Sequence, residues 1–164
     1  KNAKYQIYRK VNNYSRTPVD GKSGDITFAD SATSATFAAD LNNLQVGTYI
    51  IVVTASDPRN QGSETATVSG EVEFTITPKK IAVPTEHPGD YFIFNGQVQT
   101  HSFASNFDGW RYVGGTAPTR KDAGTTAFQI ELVDPTNTVW EDTNNTSKRN
   151  RHYKISCFNN RICF

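Results

Sequence analysis

The sequence EVEFTITPKKIAVP, residues 71–84, lies near the midpoint of this chain of 164 residues. Its first part alternates Val72, Phe74 and Ile76 with polar residues. At the two-residue period of a β-strand, this alternation turns one apolar face inward and one polar face outward. Pro78 lacks the backbone donor that a strand ladder needs, so we expect the strand to end just before it.

The alternation resumes directly after this proline. A second short run, residues 81–83, is stopped by Pro84. Two strands separated by a proline at the midpoint predict a joint between two small β domains. We assign residues 1–78 to the first domain, residues 79–155 to the second, and residues 156–164 to a tail.

The composition favours an all-β fold, because Thr, Val, Tyr and Phe are abundant and Met is absent. The chain is long enough to bury a core without help from metals or disulfides. Its net charge of +1 provides no field that would attract nucleic acid or an anionic membrane. No apolar run approaches the roughly 20 residues that cross a bilayer. Since the chain begins at Lys1, we expect a mature piece or an excised fragment of a longer protein.

Both cysteines, Cys157 and Cys163, lie in the last eight residues. A disulfide framework would join distant strands. We therefore interpret the pair as free thiols in a tail that belongs to a linker or to sequence added for expression, with a short local disulfide loop as the alternative. Together with His152 they offer three zinc ligands at most, whereas a structural zinc site needs about four. The sequence predicts no metal and no cofactor.

The first half contains one strongly predicted strand. Residues 49–57 are rich in β-branched side chains and end in an Asp-Pro turn. An imperfect alternation over residues 5–11 predicts an opening strand. The polar residues 12–25, with one proline and two glycines, predict a surface loop.

The segment before the strand at 49–57 resembles the tyrosine corner of immunoglobulin-like (Ig-like) and related Greek-key sandwiches. The resemblance is carried by Leu41, Leu44, Gly47 and Tyr49. It implies that the Tyr49 hydroxyl binds the backbone just upstream, where the chain crosses between sheets. The stretch TYIIVVTASDP, residues 48–58, with a last strand at 72–76, is similar to bacterial cell-surface Ig-like repeats.

The second half resembles another recurrent module of large bacterial surface proteins, whose first motif is aromatic-x-Gly-x-x-Gln. That motif reads FNGQVQ at residues 94–99. The later motifs are Gly115-Thr116, Ala123-Gly124-Thr125, the alternation from Phe128 to Leu132, Trp140-Glu141-Asp142 and a closing strand Tyr153-Lys154-Ile155. The resemblance covers residues 81–155 and implies a second Ig-like β-sandwich. Asn95-Gly96, between apolar pairs, also predicts a β-hairpin.

One position departs from this second module. A tyrosine usually follows Ala-Gly-Thr in the module, but this chain has Thr126 there. A tyrosine corner therefore cannot be transferred to the second half. We expect another contact to fix that crossover.

No group of residues predicts catalysis. A nucleophilic triad needs a Ser or Cys on a strained turn and a His that an acid orients, and no Gly-x-Ser-x-Gly elbow is present. We interpret His87, His101 and His152 as residues of surface loops. The carboxylates Glu71 and Glu73 fall on the outward face of an edge-like strand, where solvation explains them better than glycoside hydrolysis.

Five aromatic residues are candidates for a binding face: Tyr91, Phe92, Trp110, Tyr112 and Trp140. Exposed rings stack on sugar rings. With Asp108 and Arg111 as hydrogen-bonding neighbours, Trp110 and Tyr112 form the candidate ligand-binding set. The alternative is that Trp110 covers the end of a sheet and that Trp140 belongs to the core.

The basic run Lys148-Arg149-Asn150-Arg151-His152 precedes the predicted closing strand. Such a run can bind a phosphate or an acidic glycan. We interpret it instead as a solvated loop, because charge runs usually face water.

Together these features predict two tandem Ig-like β-sandwiches from an extracellular bacterial cell-surface protein. The expected role is a non-catalytic spacer or adhesion module, and the alternative is a carbohydrate-binding module that uses exposed aromatic residues. Expected partners are neighbouring domains of the parent protein and a host or matrix protein or glycan. Nucleic acid and membrane insertion are not expected.

Overall fold

The protein is built from β-strands. The computed structural model describes residues 2–29, 32–57, 66–88, 91–105, 107–142 and 146–157. Within these residues the regular structure is strand, and no helix is present. The predicted all-β class is confirmed. The chain divides into two compact units, Lys1–Thr77 and Pro78–Phe164.

The described part of the first unit contains one four-stranded antiparallel sheet. Its strands are β1 (Asn2–Lys10), β2 (Arg16–Ile26), β3 (Gly47–Asp57) and β4 (Ala66–Ile76). Their order across the sheet is β2-β1-β3-β4, so β2 and β4 form its edges. The strands predicted at 49–57 and 72–76 are both present, and both begin earlier than predicted.

The two faces of this sheet differ in polarity because side chains alternate along each strand. On one face Ile7 is fully buried. On the other face ion pairs join Lys10 to Glu73 and Arg16 to Glu71, each at 2.7 Å. Both glutamates are exposed on an edge strand, as their alternation predicts.

Irregular chain contacts the apolar side of the sheet. Residues 32–46 contain no strand. Phe37 in this segment stacks on Tyr5 with ring centroids 5.0 Å apart, and Asp40 forms an ion pair with Lys22 of β2 at 2.6 Å. The described part of this unit is therefore one sheet with an irregular cover.

The prediction of a surface loop at residues 12–25 was wrong, because β2 begins at Arg16. The strand is polar and contains Pro18, which are features of loops in sequence. An edge strand tolerates proline because one row of its backbone groups has no neighbouring strand. A register shift opposite Ile7 also lets the two strands pair despite their irregular sequence.

Tyr49 fixes the entry of the chain into β3. Its side chain is 2% exposed, and its hydroxyl donates a 2.8 Å hydrogen bond to the carbonyl of Gln45, four residues upstream. Its ring stacks on Phe74 of β4, its direct cross-strand partner, with centroids 5.6 Å apart. A tyrosine hydroxyl bound to the upstream backbone is the contact that the tyrosine-corner resemblance implies.

Replacing Tyr49 by phenylalanine keeps the stacked ring but removes the hydrogen bond to Gln45. The carbonyl would lose a buried partner, so we expect Tyr49→Phe to lower the free energy of unfolding by about 1 kcal/mol. Urea unfolding followed by circular dichroism measures the change. Tyr14→Phe is the matched control, because Tyr14 is 98% exposed and should leave the midpoint unchanged. Equal midpoints for Tyr49→Phe and the parent chain would contradict the role of the bond.

The described part of the second unit contains five strands of two or three residues and two longer strands, in three small sheets. They are β5 (Lys79–Ile81), β6 (Gln99–Thr100), β7 (Trp110–Tyr112), β8 (Thr119–Arg120), β9 (Gly124–Leu132), β10 (Thr138–Trp140) and β11 (Lys148–Ile155). The sheet β11-β9-β7 is antiparallel, β6 pairs antiparallel with β8, and β5 pairs in parallel with β10.

The core of this unit forms around Trp140. Its buried members are Ile81, Ile130, Leu132 and Trp140, and the partly buried Val83, Phe103, Trp110, Tyr112 and Phe128 pack against them. The parallel pairing of β5 with β10 sets Ile81 directly beside Trp140. Strand β5 ends before the predicted run 81–83 is complete, yet Val83 still packs on the core.

The hairpin predicted at Asn95-Gly96 is absent. A turn does form there, with Gly96 at φ +77°, a backbone angle that favours glycine. The flanking segments pair elsewhere, because Ile93 forms a parallel bridge with Ser156 and β6 pairs with β8. The Gln99 side chain closes the turn by donating a 2.9 Å hydrogen bond to the Ile93 carbonyl.

Arg120 supplies the contact that a tyrosine corner would otherwise supply in this unit. Its guanidinium donates four hydrogen bonds of 2.7 to 3.2 Å to the chain that enters β9, at the Asp122, Ala123 and Thr125 carbonyls and the Thr126 hydroxyl. Gly124 has a φ of +135°, and a Cβ there would lie 2.3 Å from the guanidinium. Glycine is therefore required both for the backbone angle and for the close approach.

Removing the Arg120 side chain would leave several backbone carbonyls without their donors. We expect Arg120→Ala to lower the free energy of unfolding by about 2 kcal/mol, because hydrogen bonds from charged donors are stronger than neutral ones. Chemical denaturation followed by tryptophan fluorescence reports the unfolding of this unit, since both tryptophans, Trp110 and Trp140, lie in it. The control is Lys121→Ala at the exposed neighbouring position. If both variants unfold at the same denaturant concentration, Arg120 does not hold the crossover.

The interpretation of the cysteines as free thiols was wrong. Cys157 is disulfide-bonded. The sequence contains one other cysteine, Cys163, which lies outside the described residues, as does the rest of the predicted tail from residue 158 onward. Local spacing alone did not distinguish the thiols from the short disulfide loop.

Candidate functional site

A buried histidine lies at the centre of the candidate site. From β6 onward, Gln99, His101 and Phe103 face inward while the residues between them are exposed. His101 is 4% exposed, so its interpretation as a surface loop residue was wrong. The signal was present in the sequence, because the alternation puts His101 on the same face as Phe103.

Both ring nitrogens of His101 have partners. Nε2 lies 2.9 Å from Glu86 Oε2, and Nδ1 lies 3.1 Å from the Tyr112 hydroxyl. An ionised carboxylate can only accept, so Nε2 carries the hydrogen and donates the hydrogen bond to Glu86. In the neutral imidazole Nδ1 then accepts from Tyr112. The three side chains form a directed chain of hydrogen bonds from phenol to imidazole to carboxylate.

Aromatic rings surround this chain. The rings within 6.0 Å of the His101 ring, centroid to centroid, are those of Phe92, Phe103, Tyr112, Phe128 and Tyr153. They come from five different parts of the second unit, and most are tilted or edge-on to the imidazole. The imidazole is therefore embedded in an apolar environment, where an unpaired polar atom would be costly, while the Glu86 side chain at the end of the chain is 38% exposed.

Glu86 also approaches the guanidinium of Arg151. Its Oε1 lies 3.7 Å from Arg151 Nε, which is longer than a hydrogen bond. Neither of these two atoms has a hydrogen-bond partner, although both are buried. The pair therefore leaves an acceptor and a donor unsatisfied beside His101.

The interpretation of residues 148–152 as a solvated loop was wrong. These residues form the first part of β11, in which Arg149 and Arg151 face inward. The Arg149 guanidinium lies 5.0 Å above the Trp140 ring and binds Asp142, while Arg151 approaches Glu86. The run of charged residues did not indicate a strand in the sequence. Its inward-facing arginines have specific partners that only the folded chain brings near.

Burial raises the pKa of two tyrosines near the site. The pKa of the Tyr112 phenol is raised by desolvation and, to a smaller extent, by the negative charge of Glu86. Desolvation also raises the pKa of the Tyr153 phenol, partly offset by the positive charge of Arg120. Both phenols therefore stay protonated to higher pH than an exposed tyrosine.

A small cavity of about 110 Å³ adjoins the buried histidine. His87, His101 and His152 all line it, together with Glu86, Phe92 and Tyr153. Sequence analysis did not bring these residues together, because they come from three separated stretches. Among the residues that the structure describes, no group of three or more His, Cys, Asp or Glu side chains has the geometry to hold a metal ion.

The candidate ligand-binding set from the sequence does not form one exposed face. Trp110 and Tyr112 on β7 are half-buried and pack against the core, whereas Arg111 between them points to the opposite side. Arg111 donates a 2.9 Å hydrogen bond to Glu131, and this contact lowers the pKa of that carboxyl. Asp108 is exposed in the preceding turn.

The remaining aromatic candidates differ in exposure. Trp140 is buried in the core, which matches its expected structural role. Phe92 is half-buried against Tyr153, with ring centroids 4.8 Å apart. Tyr91 is 54% exposed and stacks on His87 with centroids 3.5 Å apart and planes 3° apart. Tyr91 therefore presents an open ring face beside the cavity.

The arrangement offers hydrogen bonding rather than an activated nucleophile. Ser102 Oγ lies 3.3 Å from His87 Nε2 at the surface. The imidazole that an acid orients is His101, and its second nitrogen is already bound to Tyr112. A triad would need the oriented imidazole to face the serine.

Comparison with known proteins adds no family. No protein-family model matches the chain, and neither curated proteins nor solved structures give a match. In the described part of the chain there is also no long apolar helix of the kind that spans a membrane.

The raised pKa values of Tyr112 and Tyr153 predict a loss of stability in alkali. Below the ordinary tyrosine value of 10.0 both phenols are protonated in the folded and unfolded chain. Above it the unfolded chain releases these protons first, so stability falls as the pH rises through the raised values. Absorbance at 295 nm should show that these two phenols ionise above the ordinary tyrosine value.

Single-residue variants show which tyrosines release their protons at high pH. Tyr112→Phe and Tyr153→Phe should each remove part of the high-pH absorbance change. A high-pH absorbance change that stays the same in both variants would contradict the burial argument.

Proposed function

We propose that this chain is a non-catalytic spacer and adhesion module of an extracellular bacterial cell-surface protein, made of two tandem Ig-like β-sandwiches. The observation that carries the proposal is the division of an all-β chain into two compact units at Thr77 and Pro78. Only these two residues separate β4 from β5. A spacer needs folded units in series, joined by a connection short enough to limit their relative motion.

The connection itself supports limited mobility. Pro78 has a fixed φ, and the strand ladders begin again at Lys79. A long Gly- and Ser-rich linker would instead behave as a flexible coil. Two residues, one of them proline, restrict the orientations that the chain can take between the units.

Two contacts support the Ig-like assignment. The Tyr49 bond to Gln45 is of the tyrosine-corner kind, and Trp140 is the buried tryptophan of the second unit. The second sheet that a sandwich requires in the first unit is not among its described residues, where irregular chain contacts the apolar side. The Ig-like part of the proposal therefore rests on these local features and on the sequence resemblance.

The disulfide at Cys157 supports an extracellular location, since disulfides persist in oxidising compartments and are rare in the cytosol. The internal pairing of His101 supports a non-catalytic role. A general base needs a free lone pair that reaches the substrate. Both nitrogens of this imidazole are committed to protein partners.

The spacer role predicts a narrow distribution of distances between the units. Fluorophores attached through Ser23→Cys and Lys121→Cys, both at exposed positions, report this distribution by single-molecule energy transfer. A matched variant carries eight Gly and Ser residues inserted between Thr77 and Pro78. We expect a clearly narrower distribution in the parent chain, because its connection is short. Equal widths in both proteins would contradict the spacer role.

A further inference from the structure

The small cavity beside His101 combines an apolar wall with a polar rim. Phe92 and Tyr153 form part of the wall, and Glu86, His87 and Lys154 contribute polar groups. With a volume of about 110 Å³ it has room for part of a small polar molecule rather than for a peptide. It lies wholly within the second unit.

Buried polar atoms without partners mark this cavity as incomplete. Tyr153 is 1% exposed, and its hydroxyl has no hydrogen-bond partner in the described protein. Glu86 Oε1, on another residue that lines the cavity, is in the same state. Arg151 Nε, 3.7 Å away from it, is also unpaired but does not belong to a residue of the cavity lining. Native proteins satisfy nearly all such atoms with protein, water or ligand. The three atoms together lack both donors and acceptors.

The chemistry of these atoms favours a ligand with neutral hydroxyl groups. A hydroxyl donates to a carboxylate such as Glu86 and at the same time accepts from a guanidinium or a phenol. A carboxylate or phosphate ligand would meet the negative charge of Glu86 at close range. An ammonium ligand would meet Lys154 at the rim. A polyol or sugar carries several hydroxyls without either penalty.

An aromatic platform stands next to the cavity. His87 lines the cavity, and Tyr91 stacks flat on it with an interplanar angle of 3°. Because Tyr91 is 54% exposed, one face of this stacked pair is open to solvent. A pyranose ring packs its C–H face on such an aromatic surface. Trp110 offers no comparable surface, since it packs against Phe103 and the core.

We infer that this cavity and Tyr91 form a binding site for the terminal hexose of a neutral glycan. Sugar hydroxyls complete the hydrogen bonds of Glu86 and Tyr153, and the sugar ring stacks on Tyr91. The site is separate from the four-residue set around Trp110. It does not depend on the spacer role, because it uses residues of one unit only.

Titration of the full, disulfide-intact chain with methyl glycosides of glucose, galactose and mannose tests the inference. Two-dimensional NMR monitors the aromatic and backbone signals, and sialic acid, inorganic phosphate and glycerol serve as comparison ligands. We expect at least one hexoside to give saturable shifts at Tyr91, His87 and Tyr153 at millimolar concentration. Sialic acid and phosphate should give none there, and glycerol should bind more weakly than the hexoside.

Two variants locate the site. Tyr91→Ala removes the platform and should weaken binding about tenfold. Tyr153→Phe removes one hydroxyl and should weaken binding about fivefold. Because that hydroxyl has no protein partner, Tyr153→Phe should not lower the urea midpoint, so lost binding would not reflect lost folding. Tyr14→Ala, at a fully open tyrosine of the first unit, should bind like the parent chain.

Several results would overturn the inference. They are the absence of saturable shifts with every hexoside, tighter binding of phosphate or sialic acid, and binding that survives Tyr91→Ala but is lost in Trp110→Ala. The last result would instead support the set of Trp110, Tyr112, Asp108 and Arg111. Loss of hexose binding would leave the energy-transfer test of the spacer role unaffected.

Discussion

The second unit depends on the hydrogen bond between His101 and Glu86. Its strands β5, β6, β7, β8 and β10 have two or three residues each, so their own backbone ladders give little stability, in contrast to the long ladder between β9 and β11. The 2.9 Å bond joins the segment after β5 to the segment after β6, and Tyr112 adds β7 to the same chain. A polar chain inside an apolar cluster tolerates few arrangements, because displacing any member leaves a buried atom unpaired. Short strands are thereby held in one geometry.

The first unit is stabilised in a different way. Its four strands have nine to eleven residues each, and every neighbouring pair is joined by a long antiparallel ladder. Such ladders fix the register, and the register fixes which residues face inward. Polar side chains are then needed mainly on the outer face and at the ends of the strands. Tyr49 is the exception, since it is buried and binds a loop carbonyl.

Strands were predicted correctly where the local pattern of residues matched the environment of the strand in the folded chain. Strands β3 and β4 were predicted because β-branched or alternating residues continue inside regular ladders. Sequence analysis failed for β2, where an edge position accepts proline and polar residues that elsewhere mark a loop. It also failed for the beginning of β11, since the inward arginines have partners in Asp142, seven residues before Arg149, and in Glu86 from a distant part of the chain.

The residues of the candidate site were even harder to predict from local sequence patterns. The binding set around Trp110 was chosen from residue type and proximity in sequence, but alternation along β7 separates Arg111 from its neighbours. The cavity residues Glu86, His101 and Tyr153 are far apart in sequence, and no local pattern joins them. Only His101 carried a readable signal, through its position two residues before Phe103.

In each unit one side chain holds the irregular segment that leads into a long strand, but the two side chains differ in chemistry. Each unit must fix the irregular chain that leads into its long central strand. In the first unit Tyr49 does so with one hydroxyl and one carbonyl, and its rigid ring loses little entropy when it is buried. In the second unit Arg120 satisfies four acceptors at once, which offsets the larger entropy loss of its longer side chain. The Thr126 hydroxyl is one of those acceptors, so it contributes to the same contact as the arginine.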